Sequence, residues 1–235
     1  MSTLTADAKK LKSLNSQSGH LSDRVYASLK AAILSLDFEP GAVLRKGPIC
    51  EALGVSRTPV ADAILKLEAD RLVEVIPQSA TRVSKMSMKE IREDAFLREA
   101  LEVAAVEYAA VHCAPDLIEV LEQNLIRQEA LLKSGDYTAF FETDQAFHNE
   151  ILACCKIERL HDTISFVSNH MDRARLMLLP APGRSADTIE EHRHIMRAIA
   201  NSDPEAARSA MQTHLRQLIK RLEPLEKTRP ELFAP

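Results

Sequence analysis

No run of residues in this 235-residue chain approaches the roughly 20 consecutive apolar positions that a membrane span requires. The opening stretch MSTLTADAKKLKSLNSQSGH has no apolar segment of the signal-peptide kind, so the expectation is a cytoplasmic protein with no membrane partner. The four cysteines, Cys50, Cys113, Cys154 and Cys155, include no CxxC pair, and adjacent cysteines on a helical stretch are badly placed to bridge each other. Reduced, mostly buried thiols are expected. No fixed-period repeat is apparent, and no convincing strand follows Met88.

What the chain does hold is 46% apolar and 27% charged residues, the balance of a globular protein that can bury a core without staples. Its length suits two ordinary domains. The net charge of -4 conceals an uneven spread. Through residue 85 there are 12 basic against 9 acidic side chains, and beyond it 18 against 25. The positive excess lies in the N-terminal part, which points to nucleic acid there and to something else beyond.

Residues 1–20 are polar and are expected to form a mobile arm. From Leu21 the apolar positions Val25, Leu29, Ala32, Ile33 and Leu36 recur at helical spacing, with Ser22 as candidate N-cap, until the turn Glu39-Pro40-Gly41. A second helix is predicted over about Pro48 to Leu53, closed by Gly54, and a third from near Ser56 through Val60, Ile64 and Leu67 to Asp70. The segments 72–76 and 81–84, joined by Pro77-Gln78-Ser79-Ala80, read as a β-ribbon. The remainder predicts about six helices, punctuated by turn residues such as Ser134-Gly135-Asp136 and Ser202-Asp203-Pro204, and hence a helical bundle.

The stretch Ile49-Cys50-Glu51-Ala52-Leu53-Gly54-Val55-Ser56-Arg57-Thr58-Pro59-Val60 has the order helix, Gly turn, helix. A plain αα-hairpin has the same order. In a helix-turn-helix the second helix enters the major groove by its first residues, here Arg57 and Thr58. An arginine at that position can reach phosphate or donate two hydrogen bonds to guanine, and the threonine can donate to backbone oxygens. Over residues 21–83, with PGAVL, LGVSRTPV and AILKLEADRLV, the chain resembles the winged helix-turn-helix of the GntR family of bacterial regulators. That resemblance implies a homodimer on a palindromic double-stranded DNA operator. The chain departs from the family pattern at Ala61, where arginine is usual, at the wing tip Ser79-Ala80, where a basic residue and glycine are usual, and at Gly47, where a basic residue is frequent. Arg57 and Thr58 carry over. Arg45, Lys46, Arg82 and Lys85 are candidates for compensating phosphate contacts, or else ordinary solvated charges.

In the helical part, Asp144 and His148 lie four apart and project from one helix face. His192 and His214 fall on two successive helices at equal distance from the turn at Asp203, which brings them to similar height in an antiparallel pair. One carboxylate and three imidazoles offer a site for a divalent ion of the Zn, Ni or Mn class with positions left open. The bland alternative, an exposed or packed histidine, is the reading for His112, His161, His170 and His194. The pattern DxxxH, then EHR, then a histidine twenty-two residues later is similar to the ligand-binding (FCD) domain of the FadR-type branch of GntR regulators, over about residues 88–222. The resemblance implies that Asp144, His148, His192 and His214 hold the metal. It further implies a small carboxylic or hydroxy acid effector, met by Arg98; the alternative for Arg98 is an exposed partner of Glu102 or Asp94. Asn169, Arg173 and Arg175 are lesser candidates for the same pocket.

The expected architecture is mainly α: an arm (1–20), a winged helix-turn-helix (21–85), an all-helical bundle (86–223) and a tail (224–235). The expected activity is that of an effector-responsive transcriptional repressor. A metal-dependent hydrolase is the alternative, because Asp plus three His with an open position can also activate water.

Overall fold

The computed structural model describes residues 5–14, 19–112 and 115–235, the side chains of Asn169 and His170 excepted. Two compact units emerge, one of residues 1–88 with 225–235 and one of residues 89–224. No described helix is long and apolar enough to cross a membrane.

After a 3-10 turn at Ala8–Lys10, the first unit has α1 (Leu21–Leu34), α2 (Lys46–Leu53) and α3 (Arg57–Ala69). These pack on a three-stranded antiparallel sheet of β1 (Val43–Leu44), β2 (Val73–Ile76) and β3 (Ala80–Val83), in the order β1-β3-β2. The predicted ribbon is β2 and β3, in register Val73↔Val83 through Ile76↔Ala80. Strand β1 was not legible, since two residues carry no alternation. The core joins Val25, Leu29 and Ile33 of α1 to Val60, Ile64 and Leu67 of α3 and to Leu44, Val73 and Val83 of the sheet. Each such side chain contributes about 1.5–3 kcal/mol by leaving water. Gly54 closes α2 in the left-handed conformation (φ 65°), which sets the angle at which α3 departs.

Two parts of this unit differ from expectation. Residues 5–14, predicted to be mobile, dock on it: Ala6 donates its N–H to the Val43 carbonyl, Ala8 and Leu14 are buried, and Arg24 donates to the Leu14 carbonyl at 2.7 Å. A few small apolar residues suffice when the surface receiving them is already built. The last residues also return here. Met86 donates to the Leu232 carbonyl, Ala234 donates to the Met86 carbonyl, and Met86, Leu232 and Phe233 are all buried.

Among its described residues the second unit has α4 (Met88–His112), α5 (Pro115–Ser134), α6 (Tyr137–Cys154), α7 (Glu158–Leu178), α8 (Arg184–Ala200) and α9 (Pro204–Thr228), in keeping with the expected six or so. Helix α9 continues beyond it. Asp136 caps α6 by accepting from the Ala139 N–H, after Gly135 at φ 71°, and Asp203 does the same for α9 toward Ala206. The buried stripes of α6 (Phe140, Asp144, Phe147, His148, Ile151), α8 (Ile189, His192, Ile195, Ile199) and α9 (Met211, His214, Leu215, Leu218) share one feature. Each places ionisable groups where the helical period demands core.

Cys154 is disulfide-bonded, which corrects the expectation of reduced thiols. Bridging depends on which helices the fold brings together, and cysteine spacing does not carry that. Cys50 and Cys155 are free thiols, half-buried, and Cys113 lies outside the described residues.

Candidate metal centre and nucleic-acid interface

In the first unit, Arg57 and Thr58 are the opening residues of α3 and both are exposed. They stand beside the unbonded N–H groups of that helix end, where the backbone dipole favours phosphate. Arg45 precedes α2 and Lys46 opens it, both exposed, and with Arg82 they line a groove of about 600 Å³ beside the β2–β3 tip. Arg82 has a second duty. It is half-buried, and its Nη1 donates to the Gly41 carbonyl at 3.3 Å, so part of its guanidinium holds the wing to the turn after α1. Lys85 is exposed.

In the second unit the four proposed metal ligands are all buried, His192 completely. One ligand atom from each of Asp144, His148, His192 and His214 lies within 4.8 Å of the others. Ligands 2.0–2.2 Å from an ion stand up to about 4.4 Å apart, so the spacing suits coordination with small adjustment. His194, two residues from His192, is exposed, as helical geometry requires.

The hydrogen bonds around the rings decide what they present to the centre. The Nδ1 of His148 faces Glu102 Oε2 at 2.5 Å, that of His214 faces Glu191 Oε2 at 2.7 Å, and that of His192 faces Gln128 Oε1 at 3.1 Å. Each partner oxygen accepts, which places the Nδ1 proton outward and leaves Nε2 bare. All three Nε2 atoms then point inward. His192 Nε2 has no hydrogen-bond partner and lies 3.5 Å from Asp144 Oδ1, while His148 Nε2 and His214 Nε2 face each other at 3.2 Å. Two lone pairs at that distance repel unless a cation stands between them. The donor set and its orphaned nitrogen therefore fit a divalent ion.

The electrostatics agree. Burial pushes the pKa values of His192 and His214 well below the ordinary imidazole value, and the neighbouring imidazoles push in the same direction. Burial alone would raise the Asp144 carboxyl, but the Arg175 guanidinium, followed by the imidazoles, holds it well below the usual carboxylate range. For Glu102 burial is likewise outweighed, by the charge of Arg98 and by the hydrogen bonds from His148 and Arg98. Neutral His192 and His214 beside an ionised Asp144 are the protonation states that a metal requires.

Beside the centre is a small cavity reached by Asp144, His214, Arg98, Arg175, Arg184 and Thr188. Arg98 is buried and donates from Nε to Glu102, so its i to i+4 partnership is real but interior rather than exposed. Arg175 bridges Asp144 and Asp172, and Arg184 donates to both Glu191 oxygens. Arg173 is buried, does not reach the cavity and is pushed down to about 10 by desolvation; the Asn169 side chain lies outside the described residues.

Sequence reasoning missed the residues that orient the rings. Glu102 and Glu191 stood beside named candidates without a signal of their own. Gln128 had one: it continues the stripe Leu121, Leu125 at i+7, and a fully buried glutamine in an apolar stripe asks for a partner. Arg184 gave none.

Two family descriptions match the chain: "Bacterial regulatory proteins, gntR family" over residues 21–83 and "FCD domain" over residues 95–217. A helix-turn-helix-type transcriptional regulator in an unstable DNA locus of Streptomyces ambofaciens is 33% identical over 210 residues, covering 89% of this chain and 88% of that protein. The transcriptional repressor RspR of Escherichia coli is 27% identical, covering 91% and 94%. Among solved structures, E. coli McbR/YncC shares the fold with a TM-score of 0.75 at 24% identity, over 88% of this chain and 99% of that one. A putative GntR-type regulator from Rhodococcus gives a TM-score of 0.72 at 25% identity, over 85% and 96%.

Proposed function

Because the chain belongs to the gntR family of bacterial transcriptional regulators and carries an FCD domain, we propose that it is a metal-dependent, effector-responsive repressor acting in the cytoplasm. The observation that carries this reading is the convergence of three bare Nε2 atoms and the Asp144 carboxylate beside a cavity edged by guanidiniums. Asp144, His148, His192 and His214 would hold a Zn, Ni or Mn class ion. Bound there, the ion supplies a positive charge able to accept a carboxylate oxygen. Arg98 would orient the same carboxylate through the N–H groups that it does not give to Glu102.

For a switch, the acid must bind the DNA-competent and DNA-incompetent arrangements with different affinity. The reading head would be a homodimer on a palindromic operator, with Arg57 and Thr58 at base edges and Arg45, Lys46 and Arg82 at phosphates. Phe96 on α4 and Phe166 on α7 are large apolar side chains left in solvent, which supports pairing with a second copy. A hydrolase needs a base free to move a proton. Glu191 is committed to His214 and Arg184, and Glu150 faces solvent, so the geometry favours the switch.

The test is a titration of the full chain with zinc, nickel or manganese, followed by a panel of small acids, with operator affinity read by fluorescence anisotropy at fixed salt on DNA selected from genomic fragments. One ion per chain is expected, lost in His192→Ala, together with an acid that shifts operator affinity. Operator affinity that no acid moves would sink the switch. Ester or phosphoester turnover abolished by His148→Ala would replace it with the hydrolase.

A further inference from the structure

Residues 5–14 carry three lysines and one aspartate, and their docking on the first unit turns the lysines outward. Ala8 and Leu14 are buried and Leu11 is half-buried, while Lys9, Lys10 and Lys12 between them are exposed. The backbone beneath the lysines is tied down. Ala6 donates to the Val43 carbonyl, Ser28 Oγ to the Lys12 carbonyl at 3.2 Å, and Arg24 to the Leu14 carbonyl. The Asp7 carboxylate caps the turn at Ala8–Lys10 by accepting from the Lys9 N–H. Among the described residues Lys9 and Lys12 have no ion pair. Lys10 Nζ stands 3.5 Å from the Asp37 carbonyl oxygen and 3.9 Å from its Oδ1, a solvent-facing pair that holds it weakly.

Their place on the unit points to a partner. Thr5 pairs with Val43 in parallel, so the segment runs beside β1 in the direction of Arg45 and Lys46. Val43 itself lines the groove beside the β2–β3 tip, together with Arg45, Lys46 and Arg82. The turn at Ala8–Lys10 packs against α2, the helix that Lys46 opens. Four residues of chain span at most about 14 Å, which keeps the Lys9 backbone within that distance of Thr5. The lysines and the cations of the groove can therefore meet one duplex. That groove is short of free charge, because Gly47, Ala61 and Ser79 are neutral and Arg82 gives part of its guanidinium to the Gly41 carbonyl.

We infer that residues 9–12 form a second DNA contact that is independent of base sequence, with Lys9, Lys10 and Lys12 on backbone phosphates. This deepens the DNA-binding reading above and rests on it. A lysine ammonium is a point charge on a flexible stem, so it adds affinity and salt dependence without reading base edges.

The experiment compares the full chain with its Lys9→Gln, Lys10→Gln, Lys12→Gln triple variant by fluorescence anisotropy, on DNA selected from genomic fragments and on a random-sequence duplex. Glutamine leaves the inward side chains Ala8, Leu11 and Leu14 untouched. Each phosphate contact steepens log K against log salt by about 0.9, or about 3.5-fold in affinity between roughly 50 and 200 mM salt. Loss of two or three contacts should therefore shrink the fall in affinity over that range by about 12- to 40-fold per chain, on both DNAs alike. A control with Lys133→Gln, Lys156→Gln and Lys220→Gln, all exposed in the second unit, loses the same net charge and should keep the native slope. Acetic anhydride labelling of the native chain, read by mass spectrometry, needs no variant: bound DNA should slow acetylation of Lys9, Lys10 and Lys12. An unchanged slope in the folded triple variant, an equal loss in the control, or acetylation that DNA does not slow overturns the inference and leaves the DNA reading intact. A native chain that binds neither DNA overturns both.

Discussion

Replacing Gln128 by leucine tests whether the second layer around the imidazoles sets metal affinity. Gln128 is fully buried, accepts from His192 Nδ1 at 3.1 Å and donates to Asn124 Oδ1 at 2.7 Å, while Asn124 in turn donates to the Thr143 carbonyl one residue before Asp144. Leucine matches its volume and offers neither bond. The His192 Nδ1–H is left buried and unpaired, at about 1–3 kcal/mol, and half-buried Asn124 loses one partner, at about 0.5–1.5 kcal/mol, so the metal-free variant should be less stable by roughly 1.5–4.5 kcal/mol. Nothing then distinguishes the two tautomers of His192, and removal of such a partner typically costs 10–100-fold in metal affinity.

The two effects separate in one assay. At zinc 100-fold above the native dissociation constant, the native chain gains about 2.7 kcal/mol from binding. The variant at the same zinc concentration should gain only about 1.4 kcal/mol for a tenfold loss of affinity and about 0.4 kcal/mol for a hundredfold loss. Denaturant melts with and without zinc measure both numbers. A variant that is destabilised without zinc yet gains as much from zinc as the native chain would show that Gln128 serves packing alone, and the tautomer reasoning would be wrong.

Three further outcomes follow from the geometry. Because His192 and His214 are held neutral in the folded chain, the unfolded chain binds more protons once pH drops through about 6.5. Metal-free stability should be level above pH 7 and fall below 6.5 by up to about 1.4 kcal/mol per pH unit for each imidazole. The lowered Asp144 and Glu102 carboxyls add a second loss below about pH 4, and melts across pH 5–8 that stay level would contradict the first part. On DNA, Arg57→Ala should cost about 1–3 kcal/mol and relax sequence preference, whereas Lys46→Ala should weaken all sequences alike and lower the salt slope by about 1, as anisotropy in a salt series reads. Phe166→Glu should yield monomers by analytical ultracentrifugation; a dimer that persists places the second copy elsewhere.

Periodicity revealed most of the helical scaffold because each helix buries one continuous stripe, and the four metal candidates were legible because they are polar residues set on such stripes. The reading helix was legible through a local motif ending at Gly54, whose left-handed backbone is a single-residue requirement. What escaped was tertiary. Strand β1 is two residues long and exists only because β3 lies beside it. The docking of residues 5–14 depends on a surface made by α1 and β1, and the Cys154 bridge on the approach of chain segments, neither of which leaves a spacing pattern. Glu102, Glu191 and Arg184 look in sequence like the many solvated charges around them, and only burial against a ring or a cavity tells them apart.

The return of residues 225–235 to the first unit makes the DNA-reading half discontinuous in sequence. A fragment ending at residue 88 would lack part of its own fabric, with Met86 stripped of both backbone bonds and of the cover from Leu232 and Phe233. Conversely, a single protease nick near residue 85 would not release that half, because the chain also leaves it through α9, the helix that bears His214. A cut at the boundary near residue 88 therefore severs only one of the two places where the chain passes between the units.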